Sequence, residues 1–246
     1  MKRDLICILR VFIDALPNFV RNSKFLFYIA KFIFRVPKEL FTFREKYDRG
    51  EIKDLSIFYL PKSNKDLKRI SKDTDVNSFH LREIEKLYKS QSPKSILDAG
   101  CGTGYILNKL NSIKPSKTSL GLDFKIINKF DSQVKFIEGD ILKNLEVFLD
   151  NSFEFVICTH VIEHLSEPER LLQELRRVCS EMLIIICPIE RKYKWGMNYH
   201  INFYPTKDKF IDFLQGNKSF FQSNYLFYKT YFRLGDLMYI EKFRRE

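Results

Sequence analysis

Five apolar runs in the middle of the chain have the length and continuity of buried parallel strands. They cover residues 95–97, 119–122, 134–137, 153–158 and 182–187. Between the fourth and fifth runs, apolar residues recur at helical spacing from Leu171 to Val178, directly after a helix-starting Pro168. This alternation predicts an α/β fold with a doubly wound, mostly parallel sheet and a ligand site at the carboxyl edge of its strands.

The residues on either side of these runs extend the same domain to 76–246. A helix is predicted over Ser78–Lys89, with Ile84 facing the sheet or a ligand and His80 on the surface. Near the C-terminus, 225–228 and 237–240 are predicted as strands around a turn at Leu234–Asp236. They predict an antiparallel hairpin that closes the sheet.

A glycine-rich turn follows the first strand, and it is the most informative motif of the chain. Asp98 ends the strand, and Gly100, Gly102 and Gly104 then alternate with small residues, including Cys101. Glycines at alternate positions let a ligand approach the backbone where a Cβ would collide. The helix that starts after Gly104 offers free N–H groups. The spacing differs from the G-x-G-x-x-G of dinucleotide-binding proteins.

The L-D-x-G-C-G-T-G sequence resembles the first motif of class I S-adenosylmethionine (SAM)-dependent methyltransferases. The resemblance implies a Rossmann-like methyltransferase fold with SAM as cofactor, and it covers residues ~80–190. The turn would bind the cofactor through the five residues from Asp98 to Gly104 named above. The other implied cofactor-binding residues are Asp123 and Phe124 at the ribose, Asp140 and Ile141 at the adenine, and Thr159 beside the methyl group.

Acceptor chemistry is predicted from the residues after the fourth strand. Asn/Asp-Pro-Pro-Tyr/Phe, typical of adenine and glutamine methyltransferases, is absent, and so are the Pro-Cys and Thr-Cys motifs of cytosine methylation. An oxygen or an ordinary nitrogen therefore remains as acceptor. His160, Glu163 and His164 would share one face of a helix, and His200 follows the fifth strand. We expect His160 or His164 to be the general base, Glu163 to orient it, and His200 to line the acceptor pocket.

A metal site is the alternative use of the same residues. The segment is similar to the E-x-x-E-H metal-binding segment of ubiquinone-pathway O-methyltransferases and of small-RNA 2′-O-methyltransferases. His160 stands where those proteins have Glu, which would shift a metal preference from Mg²⁺ toward Zn²⁺ or Mn²⁺. Glu-His-Leu is also widespread in small-molecule methyltransferases without a metal, so we assign no metal ligands.

The first 60 residues predict a basic, aromatic-rich helical extension. Phe19–Val36, plotted as one helix, gathers Arg21, Lys24, Lys31 and Arg35 beside a wide apolar face. Such a helix would lie on anionic lipid, or it would cover the catalytic domain as a lid. No run reaches the ~20 apolar residues of a membrane span, and no signal-peptide cleavage site follows.

The composition of the chain predicts where the protein is located and what class of partner it binds. The five cysteines show no metal-finger spacing and indicate free thiols in the cytoplasm, with peripheral attachment to the inner face of the membrane as an addition. With 42 Lys and Arg against 31 Asp and Glu, the net charge of +11 favours an anionic partner.

We therefore predict O-methylation of a membrane-associated, lipid-linked, glycan-type or other small-molecule acceptor. The alternatives are an RNA 2′-O-methyltransferase, which the spread of the basic residues makes the less favoured reading, and a non-catalytic scaffold subunit with the same fold.

Overall fold

The computed structural model describes residues 2–25, 28–29, 32, 38–52, 55, 74–125, 133–194, 198–216 and 225–243. The strands are β1 (Ser95–Ala99), β2 (Thr118–Asp123), β3 (Lys135–Glu138), β4 (Phe153–Thr159), β5 (Cys179–Pro188), β6 (Tyr225–Arg233) and β7 (Asp236–Phe243). The helices are α1 (Lys2–Ala15), α2 (Asn18–Arg21), α3 (Lys38–Asp48), α4 (Ser78–Gln91), α5 (Tyr105–Ile113), α6 (Ile141–Glu146), α7 (Pro168–Val178) and α8 (Lys207–Gly216), with a 3₁₀ turn at Ile162–His164.

One seven-stranded sheet has the order β3-β2-β1-β4-β5-β7-β6. The first five strands in sequence pair in parallel, and β7 pairs antiparallel with both β5 and β6. The doubly wound sheet and its C-terminal hairpin are confirmed. The order reverses between β1 and β4, so the carboxyl ends of these strands form the crevice in which such folds bind ligands.

Helices cover both faces of the sheet, which explains why the central strands are almost wholly apolar. On one face, α4 and α5 contribute Ile84, Tyr88 and Leu107 to the core. On the other face, α6 and α7 contribute Leu145 and Leu175. Each fully buried side chain of this kind stabilises the fold by roughly 1.5–3 kcal/mol relative to its exposed state.

His80 is buried, contrary to the prediction of a surface position. One imidazole nitrogen lies 3.0 Å from the Asn77 amide and the other lies 3.1 Å from the carbonyl oxygen of Tyr231. The partner in β6 is 151 residues away, so the helical periodicity around His80 gave no sign of it.

The N-terminal region differs from the single predicted helix Phe19–Val36. Helix α2 ends at Arg21 and a turn follows at Asn22. Arg21 is buried and does not belong to an exposed basic stripe, because it pairs with Asp14 at 2.7 Å and donates to the backbone oxygen of Lys192. Of the other stripe residues, Lys24 is exposed, and Lys31 and Arg35 lie outside the described residues.

Two further helices lie within the predicted helical extension, although the sequence pattern predicts no bounds for them. Helix α1 packs beside the β6–β7 turn, and α3 lies nearer the end of the extension. No helix in the described ranges has the length and hydropathy of a membrane span.

Candidate active site

The glycine turn lies at the carboxyl end of β1 and is held by the neighbouring strand. The backbone N–H groups of Gly100 and Cys101 donate to the carbonyl oxygen of Leu122, at 2.8 and 3.0 Å. The N–H of Gly102 donates to the Asp123 carboxylate at 2.7 Å. These bonds fix the turn against β2 and bring Asp123, the predicted ribose ligand, to the crevice.

Two glycines of the turn serve different purposes. Gly100 has φ +83°, and a Cβ there would lie 2.1 Å from Cγ2 of Val161, so this position packs tightly against the chain. Gly102 has φ +55° and a Cβ there would meet no atom within 4 Å. The backbone at Gly102 therefore borders open space, as a backbone that a ligand approaches must.

Asp98 is buried behind this turn without a counter-charge. Neither carboxylate oxygen has a hydrogen-bond partner among the described residues. Burial, together with the nearby charge of Asp123, raises the pKa of Asp98 to about 8. An uncompensated carboxylate is costly to bury, and a cationic group would relieve that cost. The ammonium and sulfonium groups of SAM fit this requirement, and the space at Gly102 fits the approach of a ligand.

The other predicted cofactor residues lie at the same edge of the sheet. Phe124 follows β2, and the buried Thr159 ends β4. Asp140 caps α6 by accepting from the N–H of Lys143 at 3.1 Å, and Ile141 is the buried first residue of that helix. Their individual contacts to ribose, adenine and methyl group stay predictions.

His160 does not share a helix with Glu163 and His164 as predicted. It lies before the 3₁₀ turn with φ +56°, in the left-handed region that non-glycine residues rarely adopt. Its N–H donates to the carbonyl oxygen of Ile186 at 2.9 Å, which holds the end of β4 to β5. The imidazole still reaches Glu163, with Nδ1 3.3 Å from the carboxylate.

Glu163 is a buried carboxylate among three histidines. Burial would raise the pKa of Glu163, but the contact with His160 and the fields of His164 and His200 outweigh it and lower the pKa to about 2. The backbone oxygen of Glu163 accepts from the N–H of Ile201 at 2.8 Å, which fastens the 3₁₀ turn to the loop after β5. An anionic Glu163 therefore stands at the centre of the histidine group.

His164 is held as a neutral imidazole. Its Nδ1 lies 3.3 Å from the carbonyl oxygen of Tyr199, so Nδ1 carries the proton and Nε2 keeps its lone pair. Burial, with a further contribution from His200, lowers the pKa of His164 to about 4. The rings of His164 and His200 meet edge to face, with their centroids 4.7 Å apart.

Sequence reasoning missed Glu190, the partner of His200. Both side chains are buried, and the Glu190 carboxylate is hydrogen-bonded to Nδ1 of His200. This bond leaves Nε2 of His200 to accept a proton, as in the carboxylate–histidine pairs of hydrolases. The only available signal was position, because Glu190 follows β5 at the sheet edge where the other acids lie.

Three of these residues could also hold a divalent metal ion. The ligand atoms of Glu163, His164 and His200 all lie within 4.8 Å of one another. A tetrahedral zinc site needs its ligand atoms about 3.3 Å apart, so the side chains would have to close slightly around an ion. His160, which the sequence offered as a fourth ligand, is not part of this group.

Arg44 of α3 anchors the loop that carries His200. The buried guanidinium donates to the carbonyl oxygen of His200. It lies 4.7 Å from the centroid of the Phe203 ring and 5.7 Å from that of Tyr193. The α3 helix thus contacts the loop that carries His200. No sequence motif predicted this contact.

Comparison with known proteins finds a family match in the central part of this chain. Residues 97–186 match the family described as methyltransferase domain. The chain is 27% identical to a tRNA U34 carboxymethyltransferase of Nautilia profundicola over 169 residues, which are 59% of this chain and 54% of that protein. It is 28% identical to ajmaline N-methyltransferase of Rauvolfia serpentina over 106 residues, 39% of this chain and 36% of that protein. The chain thus spans about half of the first relative's length and less of the second's.

Among solved structures, the fold is similar to that of human N-acetylserotonin methyltransferase in complex with SAM. The TM-score is 0.56 at 13% identity, and the match covers 82% of this chain and 66% of that chain. At this identity the likeness concerns the fold.

Proposed function

The chain contains a class I SAM-dependent methyltransferase domain, and from that premise we propose that it methylates a hydroxyl oxygen of a membrane-associated, lipid-linked or glycan-type small molecule. SAM is the cofactor of this domain. The buried, unpaired Asp98 and the open space at Gly102 support its place at the β1 turn.

The observation that carries the choice of a hydroxyl is the bond between Glu190 and His200. A methylated hydroxyl must lose its proton, whereas an uncharged amine can attack without a base. Glu190 holds Nδ1 of His200, so Nε2 is oriented as a proton acceptor. The neutral His164 beside it adds no repelling charge to the pocket.

The cofactor supplies an electrophilic methyl group on a positively charged sulfur. The acceptor oxygen forms a bond to the methyl carbon as the sulfur–carbon bond breaks, and Nε2 of His200 takes the hydroxyl proton. Since the displacement is in line, the chain mainly orients the acceptor and excludes water. We place the base at His200, because Arg44 holds its backbone carbonyl group in addition to the Glu190 contact at its ring. His160, with Nδ1 3.3 Å from Glu163, is the other candidate.

An RNA acceptor is the second candidate, since one relative is described as acting on tRNA and the net charge is +11. The five most buried arginines of the described residues do not favour it. Arg10, Arg21, Arg176 and Arg177 each pair with an acid of the same chain, and Arg44 is enclosed by aromatic rings. These groups hold the fold together and are not displayed as a phosphate-binding surface.

The proposal is tested with the purified full chain and SAM carrying a labelled methyl group. Hydroxylated lipid-linked sugars, phenols, amines and bulk tRNA are offered in parallel. We expect label on the hydroxyl acceptors and a loss of transfer in His200→Asn. Label on tRNA that falls steeply with salt would replace this proposal with the RNA one, and label on amines alone would reject the hydroxyl. Binding of S-adenosylhomocysteine without transfer to any acceptor would favour the scaffold alternative.

A further inference from the structure

Helix α1 is fixed to the domain by its polar face. Asp4 accepts from the backbone N–H of Ser78 at 3.0 Å, and the Cys7 sulfur lies 3.8 Å from Asp236. One helical turn later, Arg10 forms an ion pair with the fully buried Asp236. These three side chains therefore point inward, and their partners determine the rotation of the helix about its own axis.

The opposite face of α1 is apolar and points to solvent. Leu5, Ile8 and Phe12, spaced as one helical face, are 67%, 52% and 64% exposed. We call these three residues the α1 ridge. This arrangement is the reverse of an ordinary surface helix, which buries its apolar face. Because the inward contacts hold the helix, the ridge cannot turn into the core.

Exposed apolar residues continue beyond the ridge. Phe19, Phe25 and Phe32 are also largely exposed. Several large apolar side chains exposed within one short segment indicate an interaction site, whereas a single exposed apolar residue does not.

Charge indicates which partner this surface fits. Residues 1–37 contain seven Lys and Arg against two Asp, a net charge of +5 out of the chain's +11. Both aspartates point inward, since Asp4 accepts from Ser78 and Asp14 pairs with Arg21. Arg10 and Arg21 also pair inward, which leaves five of the seven basic residues to set the charge of this segment. An apolar ridge within a basic segment matches the acyl chains and anionic headgroups of a lipid surface. A second copy of this chain would bring two segments of charge +5 together, and their repulsion disfavours it.

We propose that the α1 ridge inserts into the surface of an anionic phospholipid membrane and attaches the protein there. This inference is independent of the acceptor proposed above, because it rests on α1 and its flanking charge. The same region does contact the loop that carries His200: the Arg191 side chain donates to the carbonyl oxygen of Leu16 at 3.1 Å, and the Lys194 N–H donates to Asn22 at 2.7 Å. Membrane surface and acceptor loop are thus neighbours.

The experiment is co-sedimentation of the full chain with vesicles of phosphatidylcholine, with and without phosphatidylglycerol. The test variant is Ile8→Gln/Phe12→Gln, which removes two ridge residues and none of the inward contacts. The matched control is Val147→Gln/Leu149→Gln, which removes two side chains that are 74% and 82% exposed at the end of α6 and in the segment after it. We expect binding to the anionic vesicles alone, weakened by about tenfold or more in the ridge variant and unchanged in the control.

Every other result overturns the inference. Equal binding to neutral vesicles would remove the anionic requirement, and equal loss in both variants would show that the ridge is not special. A concentration-dependent dimer that the ridge variant abolishes, without vesicle binding, would assign the surface to a second copy. S-adenosylhomocysteine binding is measured on all samples. Retained binding shows that a variant is folded. If the wild type does not bind, that result counts against the methyltransferase proposal, and the vesicle result still stands.

Discussion

Glu190 and His200 form a buried hydrogen bond between a carboxylate oxygen and Nδ1, across a loop that begins at the end of β5. Arg44 donates to the backbone carbonyl oxygen of the same histidine. His200 is thereby fixed both at its ring and at its carbonyl group, which is the support that a base needs if it is to meet an acceptor in one orientation.

Replacing Glu190 by Gln tests the role of this bond. The amide keeps the volume but no longer stabilises a protonated imidazole, so we expect kcat to fall about 10²-fold with an acceptor identified as above. Calorimetric affinity for S-adenosylhomocysteine should stay within twofold of wild type, at about 0.4 kcal/mol or less. An equal fall in cofactor affinity and turnover would show that Glu190 only supports folding.

Because the pKa of Asp98 is raised, we expect the protein to release a proton when it binds the cofactor. With a pKa of about 8, this carboxyl is largely protonated at pH 7 in the free protein. An ammonium group placed beside it favours the ionised form, so binding of S-adenosylhomocysteine should release close to one proton. Calorimetry in two buffers with different ionisation enthalpies gives the number directly. Asp98→Asn should release none, and a wild type that releases none would show that the ligand's cationic group lies elsewhere.

The same group makes the free protein pH-sensitive. The folded-state pKa of Asp98 is raised from 3.8 to about 8, so between these values the folded state holds a proton that the unfolded state has lost. The free energy of unfolding contributed by this group therefore falls as the pH rises through that range. Denaturant titrations of wild type and Asp98→Asn at pH 5 and 8.5 should show a smaller decline in the variant. A parallel decline in both would assign the effect to other groups.

A chelator distinguishes a proton acceptor from a metal ligand at Glu163, His164 and His200. Since Tyr199 and Glu190 already orient the two imidazoles, we expect ethylenediaminetetraacetate to leave turnover unchanged. Added Zn²⁺ should inhibit by occupying the same nitrogen atoms. Loss of turnover with the chelator, restored by Mn²⁺ or Mg²⁺, would instead assign a metal-activated hydroxyl to this site.

Substitution of Arg44 should weaken binding of the acceptor and leave binding of the cofactor unchanged. Arg44→Lys keeps the charge but loses the planar group that lies among aromatic rings and donates to His200, so we expect the KM for the acceptor to rise about tenfold. Affinity for S-adenosylhomocysteine should not change. Arg49→Lys, at an exposed position just after the same helix, is the control. A change in cofactor affinity, or the same change in the control, would contradict the role.

The sequence predicted the parts of this protein that local pattern determines. Strands such as β4 are covered on both faces and therefore read as continuous apolar runs, and the glycine turn needs particular residues at fixed spacing. Strand β5 begins three residues earlier than predicted, at Cys179, because Glu181 interrupts the apolar run although it is buried.

The parts that were missed depend on partners far away along the chain. Arg10 meets Asp236 across 226 residues, and Arg44 meets His200 across 156. Neither pair leaves a periodicity or a motif in a single sequence. The wrong expectation for Arg21 has the same origin, since a helical plot groups residues by angle and ignores the Asp14 and Lys192 groups that bury this side chain.

The long separation between Arg10 and Asp236 has a consequence for biosynthesis. At translation rates of about 5–20 residues per second, roughly 10–45 s pass between the synthesis of these two residues. The segment from β1 to β5 can pair its strands during that time, whereas α1 cannot form its contacts with Asp236 until the β6–β7 hairpin has been synthesised. The nascent polypeptide would therefore complete the segment that binds the cofactor, β1 to β5, first. Helix α1, which is synthesised before it, would be accessible to chaperones until translation nears its end.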